Sequence, residues 1–514
     1  MPVEPESRSW KTIWVSNSGG TEIAPDGMPS GGHLSVLMLP RSSQIGVMVA
    51  LCTGVVGAAF EMYSINAAMP AIAPALNGMN RYVWPFTMFI IGQVFSIIVS
   101  GRLIDRFGAF KPLAVGVGFF VLGLTLAGSA GTMNTFLAAR AVQGLGGGAM
   151  NIAVMVVIAE VFPEQRRSMM MTIFSFCYLG PAFVGPLLAA RITTTLGWRW
   201  VFWLIIPFLV IAAIVGSRPM WHLYRHRPSK GASPGEVPMW VAVAGTVGMA
   251  CLQAATQSIE KIDWTTAPLA IVGLVTVGAA LQMMMPRGFW RFKPGLPSLM
   301  WVRLTLAGAF FASFSLFTLL LTKDRGYGLE QSSWALAIGA IGWASGTVLQ
   351  SRPWLRMRRD RIIIIGSLFE TAAIVVIVFF ASWTKLPLAG HIFHHTMYPR
   401  VVAPPDYLIF VAILALLMAG FGMGLSSAST SLALMTLSAP EAIGRNTSNL
   451  QVADGLGSAF VAGIAGALLT ILTPKLGVAH TFGWIYAINA VFALASALLA
   501  IRMGRVRNEA SGYG

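Results

Sequence analysis

Residues 82–111 read YVWPFTMFIIGQVFSIIVSGRLIDRFGAFK, an uncharged apolar run that leads directly into a basic turn containing one acid. The hydrocarbon core of a bilayer is about 30 Å thick, so a helix needs roughly 20 apolar residues to cross it. The run 82–101 has that length and carries no charged residue. We therefore predict one membrane-spanning helix here, ending in a polar turn.

Similar runs recur along the whole chain. They predict fourteen spans, at 44–68, 82–101, 112–131, 134–160, 168–190, 200–217, 239–257, 265–285, 304–322, 331–350, 362–383, 407–433, 446–472 and 482–501. Only helices satisfy the backbone of such runs within lipid. The composition agrees, because 56% of residues are hydrophobic and 11% are charged, against about 25% charged in soluble domains. The sequence predicts an all-α polytopic membrane protein.

The basic residues predict the orientation of these spans. With the N-terminus inside, 25 of the 35 lysines and arginines fall in cytoplasmic segments and nine in external ones. Cytoplasmic loops of membrane proteins carry such an excess. We expect a plasma-membrane protein with both termini cytoplasmic, including tails at 1–43, interpreted as mobile rather than as a cleaved signal, and at 502–514. The net charge of +16 is thereby explained without a nucleic-acid partner.

The chain also contains an internal repeat. A constant shift along the sequence places Ile91-Gly92 on Ile341-Gly342 and Gly116 on Gly366 without a gap. Parallel repeats of six spans build one large class of transporters. We therefore predict six-helix bundles at 44–217 and 304–501, separated by an inserted span pair with basic connectors at 218–303.

Few charged side chains lie well inside the predicted spans. The acids are Glu61, Glu370 and Asp454, and Arg140 is the one base. Each ionised group at the bilayer centre costs about 2.5–3.5 kcal/mol on insertion scales, so it needs a partner, a water cavity or a proton. Glu61 and Arg140 fall at a similar depth and would meet if spans 1 and 4 are neighbours. They would then form either a proton-exchanging site or a structural ion pair.

The other polar groups are ranked by their surroundings. Asp454 lies in a polar stripe with Asn449, Gln451 and Ser458, which favours a proton or substrate group. Glu370 is surrounded by apolar residues, which favours a locally satisfied or protonated acid. The histidines of the loop before span 12 are interpreted as a solvated loop rather than a metal site; they are His391, His394 and His395.

Two further segments are mechanical candidates. In the turn 101–111, Gly101 and Gly108 would allow a tight reversal, and Asp105 could accept hydrogen bonds from exposed amides. In span 5, Gly185-Pro186 combines a small residue with a proline, which permits close helix contact.

These motifs together resemble the major facilitator superfamily, specifically its fourteen-span drug–proton antiporter branch. The resemblance lies in Glu61-x-x-x-x-Asn66 to Pro70, in Gly101-Arg102-x-x-Asp105-Arg106-x-Gly108, in Arg140-x-x-Gln143-Gly144, and in Gly185-Pro186 with the later Trp198-Arg199-Trp200. The chain departs from the branch pattern in several places, including Glu61 for aspartate and Tyr63 for threonine.

The resemblance implies a fold and a set of roles. The fold would be the major facilitator fold, two six-helix bundles with two inserted spans. Proton coupling would involve Glu61 and Arg140, with Asp454 added from its position. Asn66, Gln143 and Tyr63 would face the substrate cavity. The conformational switch would comprise Gly101, Asp105, Arg106, Gly108, Gly185 and Pro186, with Asp105 locking the two halves near residues 446–448.

The expected function is proton-coupled export of lipophilic or amphipathic compounds such as drugs. No enzyme activity, metal or cofactor is expected, and the expected partners are protons, membrane lipids and a small substrate, with a monomeric chain. Two alternatives remain open at this point. The cargo could be a lipid, glycolipid or another envelope component, or the chain could be a non-transporting membrane sensor or scaffold.

Overall fold

The structure, a computed structural model, describes residues 41–161, 164–225, 239–257, 266–352, 354–355, 357–382, 407–439 and 442–506. These residues form helices and turns and contain no β-strand. The long helices are α1 (Arg41–Ala75), α2 (Trp84–Phe107), α3 (Phe110–Gly128), α4 (Met133–Val161), α5 (Glu164–Thr195), α6 (Ile205–Arg225), α7 (Met239–Gln257), α8 (Thr266–Met284), α9 (Leu296–Leu319), α10 (Leu329–Gln350), α11 (Arg359–Ser382), α12 (Tyr407–Leu437), α13 (Ile443–Leu476) and α14 (Val478–Arg502). Short helical turns are Met79–Arg81, Trp200–Trp203, Phe289–Arg291 and Leu320–Asp324.

These helices have the length and composition of membrane spans. Thirteen of them contain a segment long and apolar enough to cross a bilayer, and α7 contains a shorter apolar stretch, Val243–Ala255. The chain is therefore a multi-pass membrane protein, and each predicted span corresponds to one helix. Several helices are longer than the apolar runs, as in α1, which continues through Pro70 and Pro74. Successive helices that are joined by short connections run antiparallel. We name the two ends of the bundle after the termini of α1, the Arg41 end and the Ala75 end.

The helices pack in the same order in two groups of six. In the first group, α1 packs on α5 and α6, α4 packs on α2 and α3, and α3 packs on α6. In the second group, α9 packs on α13 and α14, α12 packs on α10 and α11, and α11 packs on α14. The groups meet where α5 packs on α10 and where α2 packs on α13. Each of these two contacts is the counterpart of the other under the repeat.

Glycines at the helix crossings repeat this order at the level of single residues. A Cβ atom on Gly92 of α2 would collide with the carbonyl oxygen of Ala141 in α4. A Cβ atom on Gly342 of α10 would collide with the carbonyl oxygen of Leu417 in α12. Gly92 and Gly342 are separated along the chain by the predicted shift. Their partners, Ala141 in α4 and Leu417 in α12, are separated by a somewhat larger number of residues. Backbones can approach this closely only where the side chain is absent.

A second crossing follows the same two shifts. A Cβ atom on Gly116 of α3 would lie 3.1 Å from the carbonyl oxygen of Gly146 in α4, and one on Gly366 of α11 would lie 2.6 Å from that of Gly422 in α12. Two independent crossings thus share one register. The predicted repeat is present in the packing as well as in the sequence.

The helices α7 and α8 pack on each other and lie outside this repeat. They contact both groups of helices, because α7 packs on α2 of the first group and on α13 of the second group. At the Arg41 end, the Asn449 side-chain amide of α13 donates to the Met284 carbonyl oxygen of α8 at 2.6 Å. The inserted hairpin therefore covers the α2–α13 contact between the two groups.

The predicted turn after α2 is corrected in one respect. Gly101 lies inside α2, which continues to Phe107, and a Cβ atom there would meet nothing within 4 Å. The chain instead reverses at Gly108, whose φ of 81° favours glycine. The helical hydrogen bonds continue through the polar residues that follow the apolar run. The apolar run therefore predicts the extent of the span but not the end of the helix.

Several predicted features lie outside the described residues. These are the histidine loop with His391, His394 and His395, most of the tail 1–43, and residues 507–514 of the C-terminal tail. Residues 41–43 belong to α1 rather than to a tail.

Candidate functional site

Glu61 of α1 and Arg140 of α4 form an ion pair inside the first group of helices. Arg140 Nη1 donates to Glu61 Oε1, and the two side chains are 1% and 2% exposed for the acid and the base. The sequence predicted this meeting from the matching depth of two charges in neighbouring spans. The contact is confirmed, whereas its role stays a prediction.

Three further groups hold the Arg140 guanidinium. Nη1 also donates to Gln143 Oε1 at 2.6 Å, one turn along α4. Nε donates to the Pro85 carbonyl oxygen of α2 at 3.2 Å. The guanidinium carbon lies 4.6 Å from the centre of the Phe89 ring, a distance typical of cation–π attraction. Arg140 thus links α1, α2 and α4 through one buried charge.

The site nevertheless contains polar atoms without a protein partner. Within the described residues, Glu61 Oε2 and Gln143 Nε2 are buried and make no hydrogen bond. A buried polar atom without a partner costs free energy, so such atoms mark places for a proton, a water molecule or a ligand group. Glu61 therefore keeps one carboxylate oxygen available while the other binds Arg140.

The other residues predicted to face the cavity are also buried on α1. Tyr63 and Asn66 are 8% and 6% exposed. The Asn66 amide donates to the Met62 carbonyl oxygen of its own helix at 3.2 Å. Between them, Ser64 Oγ donates to the Gly185 carbonyl oxygen of α5 at 3.3 Å.

A crevice begins next to this ion pair, and we call it the Phe89 crevice. Its lining is mostly apolar and comes from α1 to α5. The lining side chains include Met62, Phe89, Phe120, Met150 and Val154, with Gln93, Asn151 and Tyr178 as polar members. Phe89 contacts the Arg140 guanidinium on one side and the crevice on the other, so it connects the charge site to the crevice.

The second group of helices contains another ion pair, which the sequence did not predict. Arg303 Nε of α9 lies 2.9 Å from Asp454 Oδ1 of α13, and Nη2 donates to Oδ2 at 3.2 Å. Nη1 donates to Ser427 Oγ at 2.6 Å and to Thr430 Oγ1 at 3.1 Å, both on α12. Arg303 is 11% exposed and Asp454 is 28% exposed.

Arg303 corrects the prediction that Arg140 is the one base inside a span. The apolar run begins at Leu304, but α9 begins at Leu296, so Arg303 lies in its second turn. The polar stripe around Asp454 was the available signal, because an acid at that depth requires a cation. The cation lies at the edge of an apolar run, where a basic residue is also typical of a loop between spans.

The two ion pairs occupy different places in the repeat. When α4 is aligned on α12 in the register of the glycine crossings, Asn151 and Val154 of the Phe89 crevice correspond to Ser427 and Thr430. These are the two residues that bind Arg303. In the second group, the Arg303 side chain therefore occupies the region that corresponds to the Phe89 crevice of the first group.

Glu370 is a third buried acid with different surroundings. It lies in α11 with no exposed surface, and within the described residues both carboxyl oxygens lack a hydrogen-bond partner. Its counterpart in the first group, by the shift that relates Gly116 to Gly366, is Phe120. The geometry gives Glu370 no described cation, unlike Glu61 and Asp454.

The predicted switch residues are distributed as follows. Gly108 ends α2, and the guanidinium carbon of Arg106 lies 5.2 Å from the centre of the Phe107 ring. The side chain of Asp105 lies outside the described residues, so its proposed contact near 446–448 stays a prediction. Helix α5 packs on α10 of the other group, but Gly185 itself faces Ser64 of α1.

The two groups are joined at the Ala75 end. Arg191 Nη1 of α5 lies 3.3 Å from Glu330 Oε1 of α10. On the opposite side, Thr470 Oγ1 of α13 donates to the Asn80 carbonyl oxygen next to α2 at 3.1 Å. Both seams between the groups are therefore bridged at this end.

Comparison with known proteins gives the family. The model of the Major Facilitator Superfamily matches residues 50–399, more than half of the chain. Multidrug resistance protein 3 of Bacillus subtilis (strain 168) is 28% identical over 45% of this chain and 44% of its own length. The MFS-type efflux transporter pyiT of Pyricularia grisea is 27% identical over 50% of this chain and 45% of its own length. The chain thus matches less than half the length of these curated relatives.

Solved structures agree on the fold. A D-xylose–proton symporter has a TM-score of 0.59 at 15% identity, covering 92% of this chain and 100% of its own. An auto-inhibited POT family peptide transporter has a TM-score of 0.65 at 17% identity, covering 91% and 98%. The fourteen long helices of the described residues and their repeated packing agree with the matched family model, and the chain belongs to the Major Facilitator Superfamily.

Proposed function

We propose that this transporter is a proton-coupled exporter of lipophilic or amphipathic compounds such as drugs, acting by antiport in the plasma membrane. In this proposal the chain works as a monomer, with the Arg41 end and both termini on the cytoplasmic side. The observation that carries the proposal is the buried Glu61–Arg140 pair with one carboxylate oxygen left unpaired.

The pair has the properties that proton exchange requires. A buried carboxylate without its cation costs several kcal/mol, so Glu61 is stable either bound to Arg140 or protonated. Gln143 shares Nη1 of Arg140 and can keep the guanidinium in place when Glu61 takes a proton. Protonation then releases the link between α1 and α4, which gives a proton a means to change helix packing.

Alternating access would use the seams between the two groups of helices. Such transporters rock one half against the other around a central site. The Arg191–Glu330 and Thr470–Asn80 contacts at the Ala75 end would break when that end opens. A potential of 100 mV supplies about 2.3 kcal/mol per proton and one pH unit about 1.4 kcal/mol. One proton per cycle then supports a substrate gradient of several hundredfold.

The cargo class is supported by the lining of the Phe89 crevice and by the names of relatives. Aromatic and methionine side chains adapt to varied apolar shapes, and the lining combines Phe89, Phe120, Met62 and Met150 with few polar groups. Relatives named for multidrug resistance and efflux match this chain at low identity. The Arg303–Asp454 pair would add a polar contact or a second proton site in the other group.

The test uses purified protein in proteoliposomes with an imposed pH gradient. We expect movement of a lipophilic cationic dye that stops with a protonophore and falls at least tenfold in Glu61→Gln. Glu370→Gln is the matched control, because it neutralises another buried acid that has no described cation. Equal dye transport with and without the pH gradient would refute proton coupling, and movement of labelled lipid without dye would identify the cargo as an envelope component.

A further inference from the structure

A second crevice lies outside the repeated helices, between the inserted hairpin and the seam of α2 and α13. We call it the hairpin crevice. Its lining comes from α2, α7, α8 and α13 and is apolar apart from the hydroxyl of Thr246. Representative members are Ile91, Val94, Met249, Leu281 and Leu456.

The crevice lies in the half of the bundle nearest the Arg41 end. On α8 it is lined from Val277 to Met284, the last turns before the helix ends at that side. On α13 it is lined from Val452 to Ala459, in the first half of the helix. Since these helices cross the bilayer, the crevice lies at the depth of the lipid acyl chains.

Exposed basic side chains lie just beyond its Arg41 end. Arg287 follows Met284 by three positions, which limits their Cα separation to about 11 Å. Arg291 and Lys293 lie on the same short connection and are exposed. Arg445 is exposed one turn before Asn449, the residue that binds the Met284 carbonyl oxygen, so it lies near the same place.

This basic connection is held in a fixed shape by an aromatic cluster. The Phe289 ring stacks on Trp301 with their centres 4.7 Å apart, and Trp301 Nε1 donates to the Phe289 carbonyl oxygen at 2.9 Å. The Trp290 and Phe292 rings also contact Trp301. Aromatic residues with Lys and Arg are typical of the membrane–water interface. The cationic groups are therefore presented at headgroup level rather than on a mobile loop.

We propose that the α7–α8 hairpin forms a binding site for an anionic phospholipid. One acyl chain occupies the hairpin crevice, and the phosphate headgroup binds Arg287, Arg291 and Arg445. The argument is charge complementarity, because the lining carries no charge and the bases lie at one end, which matches an apolar tail with an anionic head. Basic sites between membrane helices bind anionic lipid headgroups in this way.

Such a lipid would act on the seam that it covers. The crevice is lined by α2 and α13 as well as by the hairpin, so an acyl chain there contacts both groups of helices at once. A bound lipid would connect the hairpin to the α2–α13 contact. This role lies beyond the transport cycle proposed above and does not depend on proton coupling.

The test measures lipid retention by native mass spectrometry on the full chain in detergent. The probes are phosphatidylglycerol and phosphatidylcholine with identical acyl chains. We expect at least tenfold preferential retention of phosphatidylglycerol, lost in Arg287→Gln/Arg291→Gln, since each basic group near an anionic surface contributes about fivefold. Arg218→Gln, an exposed arginine at the same end of α6, is the control and keeps the preference.

The acyl chain is tested by filling the crevice. Thr246→Trp places a large ring in the hairpin crevice, whereas Val247→Trp changes the adjacent residue, which is 49% exposed and outside the lining. We expect Thr246→Trp, but not Val247→Trp, to lower the retention of both lipids. The two variants should have the same melting temperature.

Three outcomes would overturn the proposal. The first two are equal retention of the two lipids by the unmodified chain and equal retention of lipid by the two tryptophan variants. The third is displacement of the lipid by the transported dye, which would assign the crevice to substrate. The measurement needs no proton gradient, and Glu61→Gln is expected to retain lipid normally. Failure of the lipid site and failure of proton coupling are therefore distinguishable.

Discussion

At the residue scale, the Glu61–Arg140 pair illustrates why a buried charge is costly to leave alone. The pair contributes little net stability, because removing two ions from water costs about as much as their attraction returns. Deleting one partner is different, since it leaves the other charge buried without compensation. Removing one partner should therefore lower the free energy of unfolding far more than removing both.

This coupling gives a first prediction. Arg140→Leu should lower the free energy of unfolding by about 3–5 kcal/mol, because Glu61 is left without its cation. Glu61→Gln/Arg140→Leu should recover at least half of that loss, because both charges are then absent. The melting temperature in detergent, compared among the single and double variants, measures the difference. Equal destabilisation in both variants would show that Arg140 acts through its packing on Phe89 and not through charge.

Glu370 gives a prediction of opposite sign. Within the described residues no cation or hydrogen-bond donor stabilises an ionised carboxylate there. Glu370→Gln keeps the shape and removes the charge, so we expect unchanged dye transport and a melting temperature equal to or above that of the unmodified chain. Glu370→Lys should prevent stable folding, since it buries an uncompensated cation. Loss of transport in a well-folded Glu370→Gln would place this acid in the transport cycle.

At the same scale, the sequence allowed some side chains to be predicted and hid others. Glu61 and Arg140 stand out because each interrupts an apolar run, and a charge in lipid requires a partner. Arg303 was hidden, because it lies just before the apolar run of α9 and looked like a loop arginine. The depth of a helix terminus depends on packing that hydropathy does not encode.

At the element scale, helix packing depends on small residues more than on apolar ones. In lipid, apolar side chains gain little by leaving the solvent, so close backbone contact provides much of the attraction between helices. The repeated crossings at Gly92, Gly116, Gly342 and Gly366 follow this rule. The constant shift between the two halves was visible in the sequence, whereas the partner helix of each glycine was not, because no periodicity marks it.

Two glycines in α3 provide a matched test of this packing. A Cβ atom on Gly116 would lie 2.8 Å from Ala149 Cβ, whereas one on Gly118 would meet nothing within 4 Å. Gly116→Ala should lower stability by about 1–3 kcal/mol through overpacking. Gly118→Ala should raise it by up to about 1 kcal/mol through helix propensity. Thermal unfolding of the two variants checks the signs, and a stabilised Gly116→Ala would contradict the α3–α4 crossing.

At the scale of the whole molecule, the sequence predicted fourteen spans and a repeat, and it did not predict where the inserted hairpin lies. The number of spans follows from hydropathy, which is local along the chain. The position of α7 and α8 against the α2–α13 seam depends on contacts between apolar faces that look alike in sequence. The same reason explains why Arg191 and Glu330, both in exposed polar segments, were not recognised as a bridge between the two groups.

That bridge gives the last prediction. Arg191→Glu places two acids at one seam of the Ala75 end, so repulsion should shift the population toward a form in which α5 and α10 separate there. The pair is 69% and 52% exposed, so the effect is at most about 1 kcal/mol, or fivefold in population.

Spin labels at Leu196→Cys and Lys323→Cys, with Cys52, Cys177 and Cys251 replaced by serine, would report the separation by pulsed electron resonance. Glu330→Arg added to Arg191→Glu restores opposite charges and should restore the original distances, more clearly at low salt than at high salt. If the double variant keeps the distances of Arg191→Glu, the bridge does not hold the Ala75 end closed, and the α2–α13 seam must do so alone.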